Sequence, residues 1–81
     1  MMVQGTVVAH TVREGDNEKG HYKLAVLNVL DSTLGDLVEV TRFLKDGESS
    51  PFDRYELGDK VEIPARRISV FRFRVQADAA V

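Results

Sequence analysis

The chain has 81 residues, which is enough for one domain with a small hydrophobic core. Its formal net charge of −2 and its 43% hydrophobic residues are typical of a globular protein, whereas most nucleic-acid-binding domains are basic. The absence of cysteine excludes disulfides, thiol catalysis and cysteine-ligated metal sites. No apolar run approaches the roughly 20 residues of a membrane helix, and the N-terminus lacks the apolar region of a signal peptide. We therefore expect a cytoplasmic protein without a membrane partner.

The charge is unevenly distributed along the chain. Residues 1–59 contain six Lys or Arg and eleven Asp or Glu, whereas residues 60–75 contain five basic residues and one acidic residue. A cationic C-terminal segment is thus hidden within a mildly negative average. Such a segment indicates either a solvated charged face or a surface for an anionic partner.

Alternating and β-branched residues predict three strands in the first half of the chain. The first covers residues 2–13, and the polar, glycine-bounded residues 14–20 form the loop of a long hairpin. Residues 21–30 are apolar on both faces, which predicts a central strand. Residues 31–36 have the composition of a turn, and residues 37–45 are predicted as the third strand.

The second half of the chain is less regular. Residues 46–59 interrupt the pattern with a loop that has room for a single helical turn. Residues 60–65 alternate again, with apolar side chains at the odd positions directed inward, and Pro64 is expected at a sheet edge or at the end of this strand. The last predicted strand covers residues 68–75, and residues 76–81 are expected to be a frayed tail.

Together these elements predict five strands in a single domain that spans residues 1–81. A chain of this length has no room for two packed sheets. We therefore predict an all-β fold, a five-stranded OB-like small barrel with long hairpins, because closure of a barrel removes exposed strand edges. An SH3-like barrel is the alternative.

The residues with reactive side chains do not form a catalytic or metal-binding pattern. His10 and His21 lie in different predicted strands, and neither has a second histidine at metal-ligand spacing. Residues 16–18 depart from the calcium-loop template, and no serine lies in a nucleophile-elbow pattern. We predict no enzymatic activity, no metal and no cofactor.

Three segments combine cations with aromatic rings, as single-stranded nucleic-acid binders do. They cover residues 19–23, 42–45 and 66–74. Bases stack on aromatic rings for about 1–3 kcal/mol each, and Lys or Arg neutralises the phosphates. The predicted nucleic-acid-binding residues are Lys19, His21, Tyr22, Lys23, Arg42, Phe43, Lys45, Arg66, Arg67, Phe71, Arg72 and Arg74.

The aromatic residues among them have two interpretations. Phe71 and Phe73 share the parity of the apolar residues in their strand, which favours a place in the core over a stacking role. Tyr22 also shares the parity of apolar neighbours, so that core and surface both stay open for it. Phe43 lies opposite the apolar parity of its strand and is the aromatic residue that we expect to be exposed.

The chain resembles the small single-stranded DNA-binding proteins of filamentous phages and related plasmids, the helix-destabilising type. The resemblance rests on Lys19-Gly20-His21-Tyr22 after a hairpin loop, on residues 57–63, and on the short basic segment 68–75. It covers the order of elements along most of the chain. It implies a compact, usually dimeric OB-type barrel that binds single-stranded DNA in replication or strand protection.

We therefore predict a protein that binds single-stranded DNA largely without sequence preference, through a basic groove with stacking aromatic rings. A homodimer is expected because a small core gains from burying an edge against a second copy. One alternative is a protein-interaction module whose acidic N-terminal half docks a partner. Another is an RNA-binding domain of OB or cold-shock type, since stacking and phosphate contacts serve both nucleic acids.

Overall fold

The computed structural model of the chain describes residues 2–33, 35–68 and 74–77, in which all regular structure is β. For residues 66–68, 74 and 76, it describes the backbone alone. The strands are β1 (Met2–Asn17), β2 (Gly20–Asp31), β3 (Asp36–Leu44), β4 (Lys60–Ile68) and β5 (Arg74–Ala77). The prediction of an all-β fold is confirmed. Within the described ranges, no helix is long and apolar enough to span a membrane.

Each strand lies between two neighbours. β1 pairs antiparallel with β2 over most of its length and with β4 through residues 2–6. β2 pairs antiparallel with β3. β5 is parallel to β3 and antiparallel to β4, so that the strand order β1-β2-β3-β5-β4 closes on itself.

Gly5 lies where β1 pairs with two strands at once. It is the register partner of Asp31 on β2 and of Val61 on β4. A Cβ atom at this position would come within 2.0 Å of the carbonyl oxygen of Leu30. Glycine is therefore required here because the backbones of β1 and β2 approach too closely for any side chain.

The core consists of the inward side chains of all five strands together with Phe52, and it is rich in valine, which suits a pleated, curved sheet. On β4, the side chains of Val61, Ile63 and Ala65 are buried, as the alternation predicts. The buried cluster contains Val3, Val7, Ala25, Leu27, Val29, Val38, Val40, Phe52, Val61, Ile63, Ala65, Val75 and Ala77.

Phe52 is the largest of these side chains, and it comes from the irregular segment between β3 and β4. Its side chain is 0% exposed, and Tyr55 packs beside it against the core. The segment forms turns rather than a helix: the Asp53 N–H donates to the Ser50 carbonyl at 3.3 Å, and the Tyr55 N–H to the Phe52 carbonyl at 3.1 Å. These turns hold Phe52 in the core without regular secondary structure.

The first hairpin is longer than the sequence predicts. Residues 14–17, predicted as loop, belong to β1 and pair with β2, which leaves a turn of two residues, Glu18 and Lys19. The Lys19 N–H donates to Oδ1 of Asn17 at 2.9 Å, and Gly20 has a φ of 112°. Asn17 thus hydrogen-bonds the backbone two residues further along the chain, and Gly20 adopts a positive φ. These two features are sufficient to reverse the chain.

The ends of β4 and β5 also differ from the prediction. Pro64 does not end β4, which continues to Ile68. Pro64 is the register partner of Met2, and the pairing of β4 with β5 begins at the next residue. The predicted last strand, residues 68–75, is divided: Ile68 belongs to β4, whereas β5 begins at Arg74. Residues 69–73 lie outside the described residues.

The tail is shorter than predicted. Gln76 and Ala77 were expected to fray, but they belong to β5, where they pair with Thr41 and Ala65. Ala77 is buried in the core, which explains why the strand extends this far. Residues 78–81 lie outside the described part of the chain.

Candidate nucleic-acid interface

Two aromatic rings lie together on the outer face of β2 and β3. Tyr22 and Phe43 have ring centroids 6.1 Å apart and an interplanar angle of 80°, an edge-to-face arrangement. Phe43 is 59% exposed, which confirms the prediction that it lies on the surface. The parity of Tyr22 is opposite to that of the buried Ala25 and Leu27, so Tyr22 belongs to this outer face and not to the core.

Gly15 supports the ring of Tyr22. The two residues are register partners on β1 and β2. A Cβ atom at Gly15 would lie 2.6 Å from the Tyr22 hydroxyl oxygen. The ring therefore lies against the backbone of β1, and a side chain at position 15 would displace it toward Phe43 or away from it.

An ion pair crosses the same face further along β2. Arg13 on β1 donates from Nη1 and Nη2 to Oε1 and Oε2 of Glu39 on β3, at 3.2 and 3.3 Å. The register places Val26 of β2 between these two residues, and Val26 is fully buried although it points away from the core. The ion pair therefore helps to cover the middle of the outer face and leaves the aromatic pair at one end.

Arg13 and Glu39 were not among the predicted site residues. They are separated by 26 residues, and each has the appearance of an isolated surface charge in the sequence. Only the pairing of both strands with β2 brings them together. No local signal could have identified the pair.

Two of the predicted cations lie on the opposite face. Arg42 is the register partner of the buried Ala25, and Lys23 alternates with Tyr22 along β2. Each also has a carboxylate partner. Nζ of Lys23 lies 3.4 Å from Oε1 of Glu14, and Nη2 of Arg42 lies 3.2 Å from Oε2 of Glu48. The prediction placed these cations beside the rings, whereas the period-two alternation of strands separates them.

Glu48 is held in its ionised form by its surroundings. The hydrogen bond that the Lys45 N–H donates to its Oε1, at 3.0 Å, is the main reason why its pKa lies below the usual value of 4.5. The positive charges of Arg42 and Lys45 lower this pKa further, against an opposing effect of desolvation. Arg42 therefore has a permanently charged partner at neutral pH.

The remaining predicted residues on the described β1–β3 surface are exposed. Lys19 occupies the hairpin turn, and Lys45 follows directly after β3. Neither side chain forms an ion pair with another described residue. The Nδ1 atom of His21 lies 3.2 Å from Oδ1 of Asp16, its register partner on β1.

The C-terminal cations are described through the backbone. Arg66 and Arg67 belong to β4, and Arg74 opens β5 as the register partner of Glu39. This register brings the backbone of β5 beside the ion pair of Glu39. Phe71 and Arg72, and with them Phe73, lie outside the described residues.

A groove of about 680 Å³ lies at the other end of β2, between β1, the turn after β2 and the start of β4. Its lining includes Thr6, Leu30, Lys60 and Glu62, and none of the predicted site residues. Lys60 donates from Nζ to Oγ1 of Thr6 at 2.8 Å. The groove therefore mixes charged and apolar groups without a set that suggests one reaction.

A comparison with models of protein families, with curated proteins and with solved structures finds no match in any of the three. Over the described ranges, no three histidine or carboxylate side chains are close enough to hold a metal ion.

Proposed function

We propose that this chain is an OB-like barrel that binds single-stranded DNA through the outer face of β2 and β3. The order of the five strands supports the proposal, because an OB barrel is a five-stranded Greek-key barrel. In such barrels, the face of the second and third strands, together with the loop between the first two, contacts oligonucleotides. Tyr22, Phe43 and the Lys19 turn occupy these positions.

The observation that carries the proposal is the exposed edge-to-face pair of Tyr22 and Phe43. A phenylalanine that is 59% exposed contributes little to the core, and its apolar surface is available to a ligand. Base stacking on such a ring is worth about 1–3 kcal/mol and tolerates any base. This chemistry fits a single strand without sequence preference.

The charges around the rings predict weak, salt-sensitive binding. Lys19 and Lys45 are available for phosphate contacts, whereas Arg13 must exchange the carboxylate of Glu39 for a phosphate. The net charge of −2 adds a general repulsion. Binding should therefore be confined to this face and should decrease steeply with salt.

A fluorescence-polarisation titration tests the proposal with labelled oligo-dT, duplex DNA and single-stranded RNA at several salt concentrations. We expect preference for a single strand over the duplex, with log K falling against log salt by roughly 0.7 for each neutralised phosphate. Absence of micromolar binding to all three ligands at low salt would refute nucleic-acid binding. Preference for RNA over oligo-dT would favour the RNA-binding alternative.

Two variants locate the site. Phe43→Ala should weaken binding of oligo-dT by about 5- to 150-fold, the equivalent of one lost stacking contact. Leu57→Ala is the matched control, because Leu57 is an apolar side chain that is 68% exposed in the segment between β3 and β4. Equal effects of the two substitutions would show that the β2–β3 face is not the site.

Glu39→Gln tests the role of the ion pair. Removing the negative charge frees the Arg13 guanidinium for phosphate, so the variant should bind oligo-dT more tightly than the parent at low salt. Arg13→Gln should have the opposite effect. Weaker binding by Glu39→Gln, with the fold intact by circular dichroism, would contradict this role of the pair.

A protein-interaction module is the second candidate, and one observation favours it. Leu30 and Leu37 are register partners on the same outer face, 50% and 48% exposed. Two adjacent exposed leucines suit an apolar partner better than a phosphate backbone. If no nucleic acid binds, Leu37→Asp becomes the informative variant, since it should abolish the binding of a protein partner without loss of stability.

A further inference from the structure

Among the described residues, the outer edge of β1 has no partner strand over more than half of its length. β4 pairs with β1 only as far as Thr6, and the Val7 N–H and C=O then bond to the Asp59 carbonyl and the Gly58 N–H, at 2.9 and 2.8 Å. From Val8 to Asn17, no described strand pairs with this edge. A long, unpaired edge presents free N–H and C=O groups to another strand.

The turn of the first hairpin defines which backbone N–H and C=O groups of β1 are not bonded to β2. Asn17 and Gly20 flank a turn of two residues and form the closing hydrogen-bonded pair of the β1–β2 ladder. Since hydrogen-bonded pairs alternate along an antiparallel ladder, the N–H and C=O groups of Glu14, Val12 and His10 point away from β2. These groups are directed to the free edge at regular intervals of two residues.

We propose that a second copy of this chain pairs antiparallel with this edge, with Val12 opposite the partner's Val12. The side chain of Val12 is 41% exposed, and its counterpart would cover it. The same register places His10 opposite the partner's Glu14 and Thr11 opposite the partner's Arg13. In its own chain, Nδ1 of His10 lies at the long distance of 4.0 Å from Oδ1 of Asp53, so its ring has capacity for a carboxylate of the partner.

Charge complementarity selects this register over its neighbours. A shift of two residues in one direction places Arg13 opposite the partner's Arg13, and a further shift places Glu14 opposite the partner's Glu14. Like charges directly opposite each other are destabilising. A shift in the other direction places Val12 opposite the partner's His10 and loses the valine pair. A shift of one residue would direct each side chain of the added strand to the opposite face of the sheet.

The proposed pairing joins the two outer faces into one surface. Residues that oppose each other in an antiparallel pair point to the same side, so Arg13 and Thr11 of both copies lie on the face that also carries Tyr22 and Phe43. The dimer does not require DNA, and it goes beyond the proposed function. It would place two copies of the aromatic pair on one continuous sheet.

The mass of the chain in solution, measured without nucleic acid by sedimentation equilibrium, tests the pairing. We expect twice the monomer mass of 9.1 kDa at micromolar concentration. Val12→Lys places two cations opposite each other and should raise the dimer dissociation constant at least tenfold, whereas Leu57→Lys, at an exposed site in the segment between β3 and β4, should leave it unchanged. A monomer at all concentrations, or equal effects of the two variants, would overturn the proposal.

A cysteine cross-link tests the register directly, because the chain has no cysteine of its own. In a hydrogen-bonded antiparallel pair, the two Cα atoms are about 5.5 Å apart, within the roughly 4.4–6.8 Å that a disulfide spans. Val12→Cys should therefore form a disulfide-linked dimer under mild oxidation. Arg13→Cys, displaced from its counterpart by two positions, should cross-link at least tenfold more slowly. Equal rates would refute this register, and circular dichroism of both variants verifies the fold.

Discussion

The most demanding structural prediction concerns Phe52, because it makes an irregular segment responsible for much of the stability. Its side chain is 0% exposed and contacts the core from a turn between β3 and β4. Its N–H donates to Oγ of Ser50 at 3.1 Å. Phe52→Ala removes the ring and leaves a cavity that the surrounding β-branched side chains cannot easily fill.

The expected loss is about 3–5 kcal/mol of unfolding free energy, the usual cost of truncating a buried phenylalanine. A domain of 81 residues has a total stability of about 4–12 kcal/mol. The substitution should therefore remove between about a quarter and all of this stability. Since 1 kcal/mol shifts the Tm of a domain of this size by about 4–8 °C, the Tm should fall by at least about 12 °C.

Urea denaturation followed by circular dichroism measures this loss. Phe43→Ala is the matched control, since the same atoms are removed from a ring that is 59% exposed, and it should cost about 1 kcal/mol or less. A loss below about 1 kcal/mol of unfolding free energy for Phe52→Ala would mean that the segment between β3 and β4 contributes little to the packing of the core. A larger loss for Phe43→Ala than for Phe52→Ala would reverse the assignment of core and surface.

Three further predictions concern two glycines and one carboxylate. Gly5→Ala should destabilise the fold by more than the control Gly15→Ala. The new Cβ at position 5 would lie 2.0 Å from the backbone oxygen of Leu30, whereas the obstacle at position 15 is a movable ring. Equal Tm values for the two variants would contradict this. Gly15→Ala should instead displace Tyr22 and weaken binding of oligo-dT without unfolding the chain, and unchanged affinity in the polarisation assay would separate this ring from the site. Glu48→Gln should lower the urea midpoint at pH 7, and the difference from the parent should shrink as the pH falls below about 4.5. The folded-state pKa of Glu48 is depressed, so its stabilisation is complete above the ordinary pKa and is lost as the pH falls through the folded value. A pH-independent difference between the parent and this variant would refute that reasoning.

The hairpin of β1 and β2 illustrates where local patterns mislead. Residues 14–18 have the glycine and carboxylate content of a loop, and the prediction ended the strand at residue 13. In the structure, β1 continues to Asn17 because its backbone pairs with β2 down to a two-residue turn. Strand pairing satisfies the backbone of a segment whatever its side chains prefer, so local composition underestimates the length of a hairpin.

The aromatic residues illustrate the opposite case. The exposure of Phe43 followed from its parity within a single strand, which is a local property. The position of Tyr22 did not, because apolar residues occupy both faces of β2 and parity alone cannot say which face is covered. The burial of Phe52 had no periodic signal either, because turns have no repeat from which an inward direction could be read.

The all-β class and the inward positions of β4 were determined by the sequence alone, because apolar and polar side chains alternate along a strand with a period of two residues. Tertiary structure alone decided which outward residues share a surface. Tyr22 meets Phe43, and Arg13 meets Glu39, through the register of three strands. Register depends on contacts between residues far apart in the chain, and a slip of one position would turn each of these side chains to the other face. Lys23 and Arg42, which the sequence prediction grouped with the rings, lie on the opposite face because neighbouring residues of a strand alternate, which is a local property.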